Sequence, residues 1–474
     1  MSNTTQTDVI IIGAGTAGLA SLKQVQKKTD AFLLINEGEY GTTCARVGCM
    51  PSKLLIEAAN AYHRRHTFAE FGIQNAEQLS IDIPAVLRRL RHIRDYFVSS
   101  TLKSISQIED KVITGRATLT GPNTVRVNDD VYTAKKIIIA TGSRPVLPPE
   151  WEQIGNNKIL TTNILFEQTD LKPRIAVIGL GAIGIEMAQA LSRLGIEVTA
   201  FGAESMLAGL TDKKVSEALH ETLAKEFTLY TETEADLEET ENGVKVITQK
   251  SELEVDQVLV AVGRRPNLDG MGLNKLDVSL NDKGMPDINP NTTQIEGSAV
   301  FIAGDAAADK MLLHEVADEG RIAGHNVMSD HVEAYCRRIP LSIVFSEPGC
   351  AVVGAALQQL DQQTIVIGEA SFTDQGRARA AQRNQGVMRV YLDKSSGKIL
   401  GAEMACPAAE HMAHTLALAI SQELTGTEVL SMPIYHPVLE EGMRTALRDA
   451  NKKIQTSHSF DLSRCDAFQA EALD

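Results

Sequence analysis

Between residues 8 and 37 the chain runs through an unbroken apolar stretch, a glycine-rich break, a helical stretch of Ala, Leu and Lys, and a second apolar stretch. The pieces are Asp8-Val9-Ile10-Ile11-Ile12, Gly13-Ala-Gly15-Thr-Ala-Gly18, and Ala31-Phe-Leu-Leu-Ile35 ending at Glu37. This order predicts strand, turn, helix, strand, a βαβ unit. It returns at Arg174-Ile-Ala-Val-Ile178, Gly179-Leu-Gly181-Ala-Ile-Gly184, a helix from Ile185 to Leu194 and a strand from Glu197 to Phe201. The repeat is of one functional unit, not of a tandem array.

Between the two units the pattern predicts a long helical stretch from Ser52 to about Ser106, then short strands at Lys111–Thr114, Thr124–Val127 and Lys136–Ala140. The proline-rich segment Thr141-Gly-Ser-Arg-Pro-Val-Leu-Pro-Pro149 marks a boundary, as do Gly263-Arg-Arg-Pro266 and Ser346-Glu-Pro-Gly349. Past the last of these, alternating strands and a helix around Ala408–Glu423 predict an α+β C-terminal domain. The polar tail after Lys453 is assigned no structure.

A chain of 474 residues is too long for one core and long enough for about three domains. The net charge is −15 and the 46 Lys and Arg are scattered, which argues against a phosphate-backbone footprint and against nucleic acid as a partner. No run of 18 or more apolar residues is present to cross a membrane as a helix. The opening MSNTTQTDVIIIGAG has no basic residue before Lys23 and its apolar run ends in glycines, so it reads as a strand and not a secretory leader. Six cysteines in a chain of this size do not form a disulfide framework. The expected location is the cytoplasm.

A G-x-G-x-x-G opening a helix permits a tight turn, close backbone approach to a pyrophosphate and close helix–strand packing, while the helix N-terminus offers free N–H groups and a positive dipole end. The first copy has an acid, Glu37, nineteen residues past Gly18, where a ribose hydroxyl needs an acceptor. The second lacks that acid: the position at the end of its second strand is Gly202, with Ala203 and Glu204 after it, and no arginine stands nearby. This leans to NADH with modest discrimination and leaves NADP open. Two such sites in one chain imply that one dinucleotide reduces another, a nicotinamide feeding a flavin.

Cys44-Ala-Arg-Val-Gly-Cys49-Met-Pro-Ser-Lys53 lies just after the first βαβ unit, on an expected loop entering the Ser52 helix. In an ideal helix this spacing separates the Cα atoms by roughly 7.5 Å along the axis, too far for an unstrained disulfide. A bridge there needs a distorted turn. The alternative is two free thiols; the dinucleotide context, with Lys53 as a flavin or thiolate partner, shifts the balance to redox function. Cys336, Cys350, Cys406 and Cys465 have no such spacing and read as packing or surface thiols, and His63, His66, His411 and His414 read as plain helical histidines without a metal set.

With these motifs in place, the chain resembles the flavoprotein disulfide reductases over nearly its whole length, and within them the dihydrolipoamide dehydrogenase branch. Gly41-Thr-Thr-Cys44 through Lys53 is similar to the redox motif, Ala140-Thr141-Gly142-Ser-Arg-Pro to the second flavin motif, and Phe301-Ile-Ala-Gly304-Asp305 to the strand whose aspartate holds the flavin ribitol. Met311-Leu-Leu313-His314-Glu-Val-Ala-Asp-Glu-Gly320 resembles that branch more than the glutathione one, and His436-Pro-Val-Leu-Glu-Glu441 resembles the acid/base segment.

The resemblance implies an α/β fold with two Rossmann-like dinucleotide-binding domains, for FAD and NAD(P), plus an α+β C-terminal dimerisation domain. The implied bounds are 1–148 (FAD), 149–268 (NAD(P)), 269–345 (central, completing the FAD site) and 346–474 (dimerisation). It implies Cys44 as the interchange thiol, Cys49 as the thiol against the flavin, and His436 oriented by Glu441 as acid/base on the other subunit of a homodimer. Cofactor contacts are implied for Gly13, Gly15, Gly18, Glu37, Lys53, Ala117, Thr141, Gly142, Asp305 and Leu313 on the FAD side. On the NAD(P) side they fall to Gly179, Gly181, Gly184 and Gly263, with Glu186 pairing Lys53 near the flavin. The implied substrate is a small dithiol or disulfide or a lipoyl domain, in the setting of a 2-oxoacid dehydrogenase complex.

Three departures lie where substrate approaches. Gly-Thr-Thr-Cys replaces the family's Gly-Gly-Thr-Cys, Ala45-Arg46 replaces Leu-Asn, and Ile434 stands where a second histidine is usual. The competing functions are a glutathione or other disulfide reductase, and a non-catalytic flavoprotein scaffold or redox sensor. A mercuric reductase is disfavoured because the tail offers only Cys465, and a transhydrogenase because its chemistry does not use a cysteine pair.

Overall fold

Apolar runs such as Val9–Ile12 and Ile137–Ile139 are buried on both faces, which in a parallel sheet requires helices or further layers above and below. A computed structural model describes residues 4–155 and 157–454. Its first sheet has the order Val112–Thr114, Phe32–Asn36, Thr4–Ile12, Asp130–Ile139, Thr124–Val127, Ala117–Gly121, with Val300–Ile302 added beside Asp130–Ile139. The long strand Asp130–Ile139 divides its edge: its first half pairs antiparallel with Thr124–Val127, its last three residues parallel with Val300–Ile302. A strand from late in the chain thus completes the sheet begun at Thr4.

The second sheet is parallel throughout, in the order Thr228–Tyr230, Glu197–Phe201, Arg174–Ile178, Gln257–Val260, Ile159–Leu160. An antiparallel meander, Ala235–Glu239, Val244–Thr248 and Glu252–Val255, packs beside it around Trp151. The two Pro-flanked segments read as boundaries meet: Ser143–Pro145 and Arg264–Pro266 form a two-stranded antiparallel ribbon between the two dinucleotide sheets.

The third sheet is antiparallel, in the order Leu341–Val344, Gly349–Gly354, Ile399–Cys406, Val387–Asp393, Ile365–Ser371. The helix Glu441–Asn451 buries Met443, Ala446, Leu447 and Ala450, the i, i+3, i+4, i+7 stripe of an amphipathic helix, on this sheet. Fully buried Glu403 of the same sheet accepts the Thr211 and Asp212 amides at 2.6 and 2.9 Å, while Arg389 and Tyr391 hold the Asp212 carboxylate. These bonds dock the second unit on the third sheet, because a buried carboxylate is tolerable only when its oxygens are paired.

Several expectations need correction. The single helix from Ser52 to Ser106 is two, Cys49–His63 and Ile83–Ser106. Between them lies the 3-10 segment Arg64–Phe71, which contains His66 and closes on Gly72 in a left-handed conformation at φ 76°. Asp82 starts the second helix by accepting the Ala85 amide at 2.9 Å, with proline in the first turn, so the sequence carried a stop and a start that the hydrophobic pattern overran. Lys111 belongs to a 3-10 turn and the strand is Val112–Thr114; the strand expected at Lys136 starts at Asp130. The helix expected from Ile185 starts at Ala182, and the one expected at Ala408–Glu423 spans Ala409–Ser421. The tail reading after Lys453 and Cys465 lies, beyond Ile454, outside the described residues. Among the described residues no helix is long and apolar enough to cross a membrane.

Candidate active site

The first glycine turn is built by close backbone approach. A Cβ on Gly18 would sit 1.9 Å from the Gly13 carbonyl oxygen, and one on Gly13, itself at φ +107°, would sit 2.3 Å from that of Ala140. At Gly15 a Cβ would meet nothing within 4 Å. That open space lies at the N-terminus of the helix Thr16–Val25, the geometry that seats a pyrophosphate. Gly15 lines a deep cleft together with Cys44, Cys49, Lys53, Gly142 and Asp305. Met311, Leu312 and Leu313 add the N-terminus of a second helix, Leu313–Asn326.

Two polar groups at this cleft point to an organic cofactor. The Thr141 hydroxyl, between the cleft-lining Ala140 and Gly142, is buried with no hydrogen-bond partner, a state that costs free energy unless a ligand completes it. Asp305 accepts the Ser143 hydroxyl at 2.5 Å, and Arg264 donates to Ser143 at 2.8 Å. Glu37 is exposed just past the strand Phe32–Asn36, and the Asn36 side chain accepts the Ala14 amide at 3.0 Å, holding the glycine turn. The residues fit a flavin dinucleotide. Ala117 does not line the cleft; it is buried at the start of its strand, opposite Val127.

The cysteines do not lie on a loop, as expected from the sequence. Cys44 belongs to a short helix, Thr43–Val47, whose N-cap Thr42 accepts the Ala45 amide at 3.2 Å, and Cys49 is the first residue of the helix Cys49–His63. Gly48, at φ −131° and ψ −118°, is the distorted turn between them. Both thiols are free. The hydrogen bond from Cys44 holds the Cys49 thiol down at about 6, against partial desolvation and with help from the Lys53 ammonium. That same bond, burial and the Cys49 charge push Cys44 up. The Lys53 ammonium and the helix N-terminus at Cys49 favour the negative charge on Cys49, with Cys44 donating to it.

Lys53 lies one helical turn beyond Cys49, and its Nζ reaches both Glu186 carboxylate oxygens at 2.9 and 2.7 Å. Glu186, 7% exposed, also accepts the Phe345 amide at 3.0 Å, and Lys53 Nζ stands 4.4 Å from the Phe345 ring centroid. Residues 133 positions apart meet here.

The second glycine turn repeats the first. A Cβ on Gly184 would meet the Gly179 carbonyl oxygen at 1.8 Å, one on Gly179 that of Ala261 at 2.4 Å, and one on Gly181 nothing. Gly181, Gly263, Thr162 and Arg264 line a second cleft that shares Thr162, Ala182, Ile183 and Arg264 with the first. The two clefts abut, and the buried Thr162 hydroxyl has no partner. This lining fits a second dinucleotide whose reactive end meets that of the first. The geometry separates two substitutions. Gly184→Ala is expected to destabilise the fold by about 1–3 kcal/mol through forced backbone shifts, read as a lower melting temperature. Gly181→Ala is expected to keep its melting temperature and lose nicotinamide affinity, read by calorimetric titration.

His436 and Glu441 stand apart from both clefts. The ring Nδ1 lies 3.1 Å from each Glu441 carboxylate oxygen, and Arg444 holds Oε1 at 2.6 Å. Burial pushes the Glu441 carboxyl up, but His436, the Val438 amide and Arg444 outweigh it and hold it below its usual range. The His436 side chain is 78% exposed, and Ile434 packs against the third sheet's core. Within one chain His436 does not meet the cysteines.

Thr162, Ser143, Phe345 and Arg264 were missed as site residues. The signal for Ser143 and Arg264 was a second repeat, Gly142-Ser-Arg144-Pro145 and Gly263-Arg-Arg265-Pro266, whose copies pair with each other. Of the remaining cysteines, Cys350 and Cys406 are buried and Cys336 is exposed.

Comparison with known proteins matches this geometry. The profile of the pyridine nucleotide-disulphide oxidoreductases matches residues 7–322, and that of their dimerisation domain residues 340–447. Dihydrolipoyl dehydrogenase of Geobacillus stearothermophilus is 31% identical over 455 residues, covering 92% of this chain and 94% of its own. The mitochondrial dihydrolipoyl dehydrogenase of Caenorhabditis elegans is 30% identical over 470 residues, covering 94% and 92%. Among solved structures, the HOCl-induced flavoprotein disulfide reductase RclA from Escherichia coli, as a Cu(II) complex, shares the fold at TM-score 0.81 and 20% identity, covering 94% of this chain and 99% of that one. LpdA from Mycobacterium tuberculosis does so at TM-score 0.81 and 21% identity, with the same coverage.

Proposed function

Because the chain belongs to the pyridine nucleotide-disulphide oxidoreductases, a family that binds FAD and NAD(P) and acts on sulfur groups, we propose that it oxidises dihydrolipoamide to lipoamide with NAD+. The observation that carries this reading is the reduced Cys44–Cys49 pair, polarised into thiol and thiolate, on the wall of a cleft that abuts a nicotinamide cradle. Dihydrolipoyl dehydrogenases at about 30% identity over nearly the whole chain support the choice of substrate. The dimerisation domain supports a homodimer.

In the proposed reaction, His436 of the partner subunit removes a proton from one substrate thiol. The thiolate attacks Cys44 of the oxidised pair; the Cys44–Cys49 bond breaks, and Cys49 leaves as a thiolate stabilised by its helix N-terminus and Lys53. While His436 keeps the first proton, the second substrate thiol gives its proton toward the Cys44 sulfur as its own sulfur attacks the mixed disulfide. The cyclic product disulfide forms as Cys44 departs and takes a proton, so two electrons come to rest on the cysteine pair. An FAD held along Gly15, Gly142 and Asp305 would supply the two-electron relay from this pair to a nicotinamide held at Gly181 and Gly263. Glu441 keeps the imidazole oriented, and the Glu186–Lys53 pair fixes an ammonium beside the thiolate.

The roles assigned to Gly13, Gly15, Gly18, Glu37, Thr141, Gly142, Asp305 and Leu313 toward FAD, and to Gly179, Gly181, Gly184 and Gly263 toward NAD(P), belong to this reading. So do the four-part division at 148, 268 and 345, a cytoplasmic location and a lipoyl domain of a 2-oxoacid dehydrogenase complex as the natural substrate. A second reading, a reductase of another disulfide, draws support from Ala45-Arg46 and Ile434 at the substrate face. The assay compares dihydrolipoamide with NAD+ against oxidised glutathione with NADH and NADPH. Turnover of dihydrolipoamide at least tenfold above the others is expected; a glutathione rate that exceeds it would replace the first reading with the second.

A further inference from the structure

The end of the strand Glu197–Phe201 is where a dinucleotide site places its nucleotide-selecting residue: an acid accepts the ribose 2′-hydroxyl of NAD, and an arginine receives the 2′-phosphate of NADP. Gly202 occupies that position. Its φ is not positive, so the backbone does not demand glycine. Space does. A Cβ built on Gly202 would lie 2.7 Å from Leu180 Cδ1, 2.8 Å from Cγ and 3.1 Å from Cβ.

Rotating the Leu180 χ2 angle moves Cδ1 but not Cγ, and turning χ1 to move Cγ as well would pull the side chain out of its core packing and still leave Cβ at 3.1 Å. Leu180 is also buried and packed in the second unit's core, and its carbonyl accepts the Ala208 amide at 2.9 Å, which pins the loop after the strand. Leu180 therefore stands against the position that the Cβ of an acidic residue at 202 would take.

The chain segments next to the slot carry acids. The loop 202–209 reads Gly-Ala-Glu-Ser-Met-Leu-Ala-Gly and contains no Lys or Arg. Glu204 on that loop and Glu232 on the adjoining turn are both exposed, with the Glu232 amide donating to the Glu204 carbonyl at 3.2 Å and the Thr233 amide to that of Gly202 at 2.8 Å.

We propose that Leu180, by occupying the slot beside Gly202, removes positive selection for the ribose 2′-hydroxyl, so that nicotinamide choice rests on Glu204 and Glu232 repelling a 2′-phosphate. The inference rests on the second cleft being a nicotinamide site. Repulsion by exposed carboxylates is weak and salt-screened. The preference for NAD over NADP is accordingly modest and falls as salt rises.

The test is calorimetric titration of the flavin-loaded enzyme with NAD+ and with NADP+, independent of any disulfide substrate. The wild type is expected to favour NAD+ by about three- to thirtyfold at low salt, about 0.6–2 kcal/mol. Glu204→Gln with Glu232→Gln, both on the exposed surface, should bring that ratio near one. Gly202→Glu alone should weaken both nucleotides, whereas Leu180→Ala with Gly202→Glu should raise NAD+ selectivity above a hundredfold, a non-additive pair. Melting temperature and flavin content report whether each variant folds; the glutamine pair carries the test if the core variants do not. A Gly202→Glu single variant with hundredfold NAD+ selectivity, or an unchanged ratio in the glutamine pair, overturns the proposal. Failure of the wild type to bind either nucleotide would instead remove the site itself and the proposed function with it.

Discussion

Replacing His436 with glutamine is expected to lower dithiol turnover by about 10²–10⁴-fold, the usual contribution of a positioned general base, while flavin content stays normal. The expectation comes from a mismatch within the single chain. His436 is 78% exposed, yet its ring is held by both carboxylate oxygens of Glu441, which Arg444 braces in turn. A carboxylate that holds an imidazole fixes its tautomer and ring orientation, an arrangement with no use on an open surface. In the proposed mechanism the ring serves the cysteines of the other subunit, so the active site exists only in the dimer. Mixing the His436→Gln protein with an inactive Cys44→Ser protein should then restore activity through hybrid dimers, in which one site keeps both an intact Cys44 and an intact His436. Near-normal turnover in His436→Gln, or no recovery after verified subunit exchange, would place the base elsewhere.

Cys49→Ser is expected to abolish dithiol turnover altogether, since no disulfide can form, and to remove the long-wavelength absorption that a thiolate against oxidised flavin gives on two-electron reduction. The pH dependence of that band in the wild type follows from the Cys49 thiol being held at about 6 by the Cys44 hydrogen bond and the Lys53 ammonium. The group is depressed, so the thiolate is present above that value and is lost as pH falls through it. An anaerobic titration of the reduced enzyme should show the band fading near pH 6. Lys53→Met, which removes one of the two stabilising groups, should move the midpoint upward. A band that survives in Cys49→Ser would exchange the roles of the two thiols.

Both glycine turns and the cysteine pair were legible in the sequence because their constraints are local. Gly13 and Gly18, or Gly179 and Gly184, meet within one turn of chain, and a Cβ on Gly18 or Gly184 would lie only 1.9 or 1.8 Å from a carbonyl oxygen, which excludes every other residue. A bridge between Cys44 and Cys49 would likewise need a distorted turn, and Gly48, at φ −131° and ψ −118°, is one. Hydrophobic periodicity, by contrast, could not place the break between Cys49–His63 and Ile83–Ser106, because apolar positions recur on both sides of it.

Only the tertiary structure decided the rest. The strand Val300–Ile302 joins a sheet begun at Thr4, Lys53 finds Glu186 across 133 residues, and two Arg-Pro segments read as boundaries pair between the two dinucleotide units. Leu180 closes the slot beside Gly202. Sequence spacing fixes the geometry of neighbours along the chain; which distant edges and side chains meet is set by the burial of apolar surface and the pairing of buried charge, and these are properties of the packed whole.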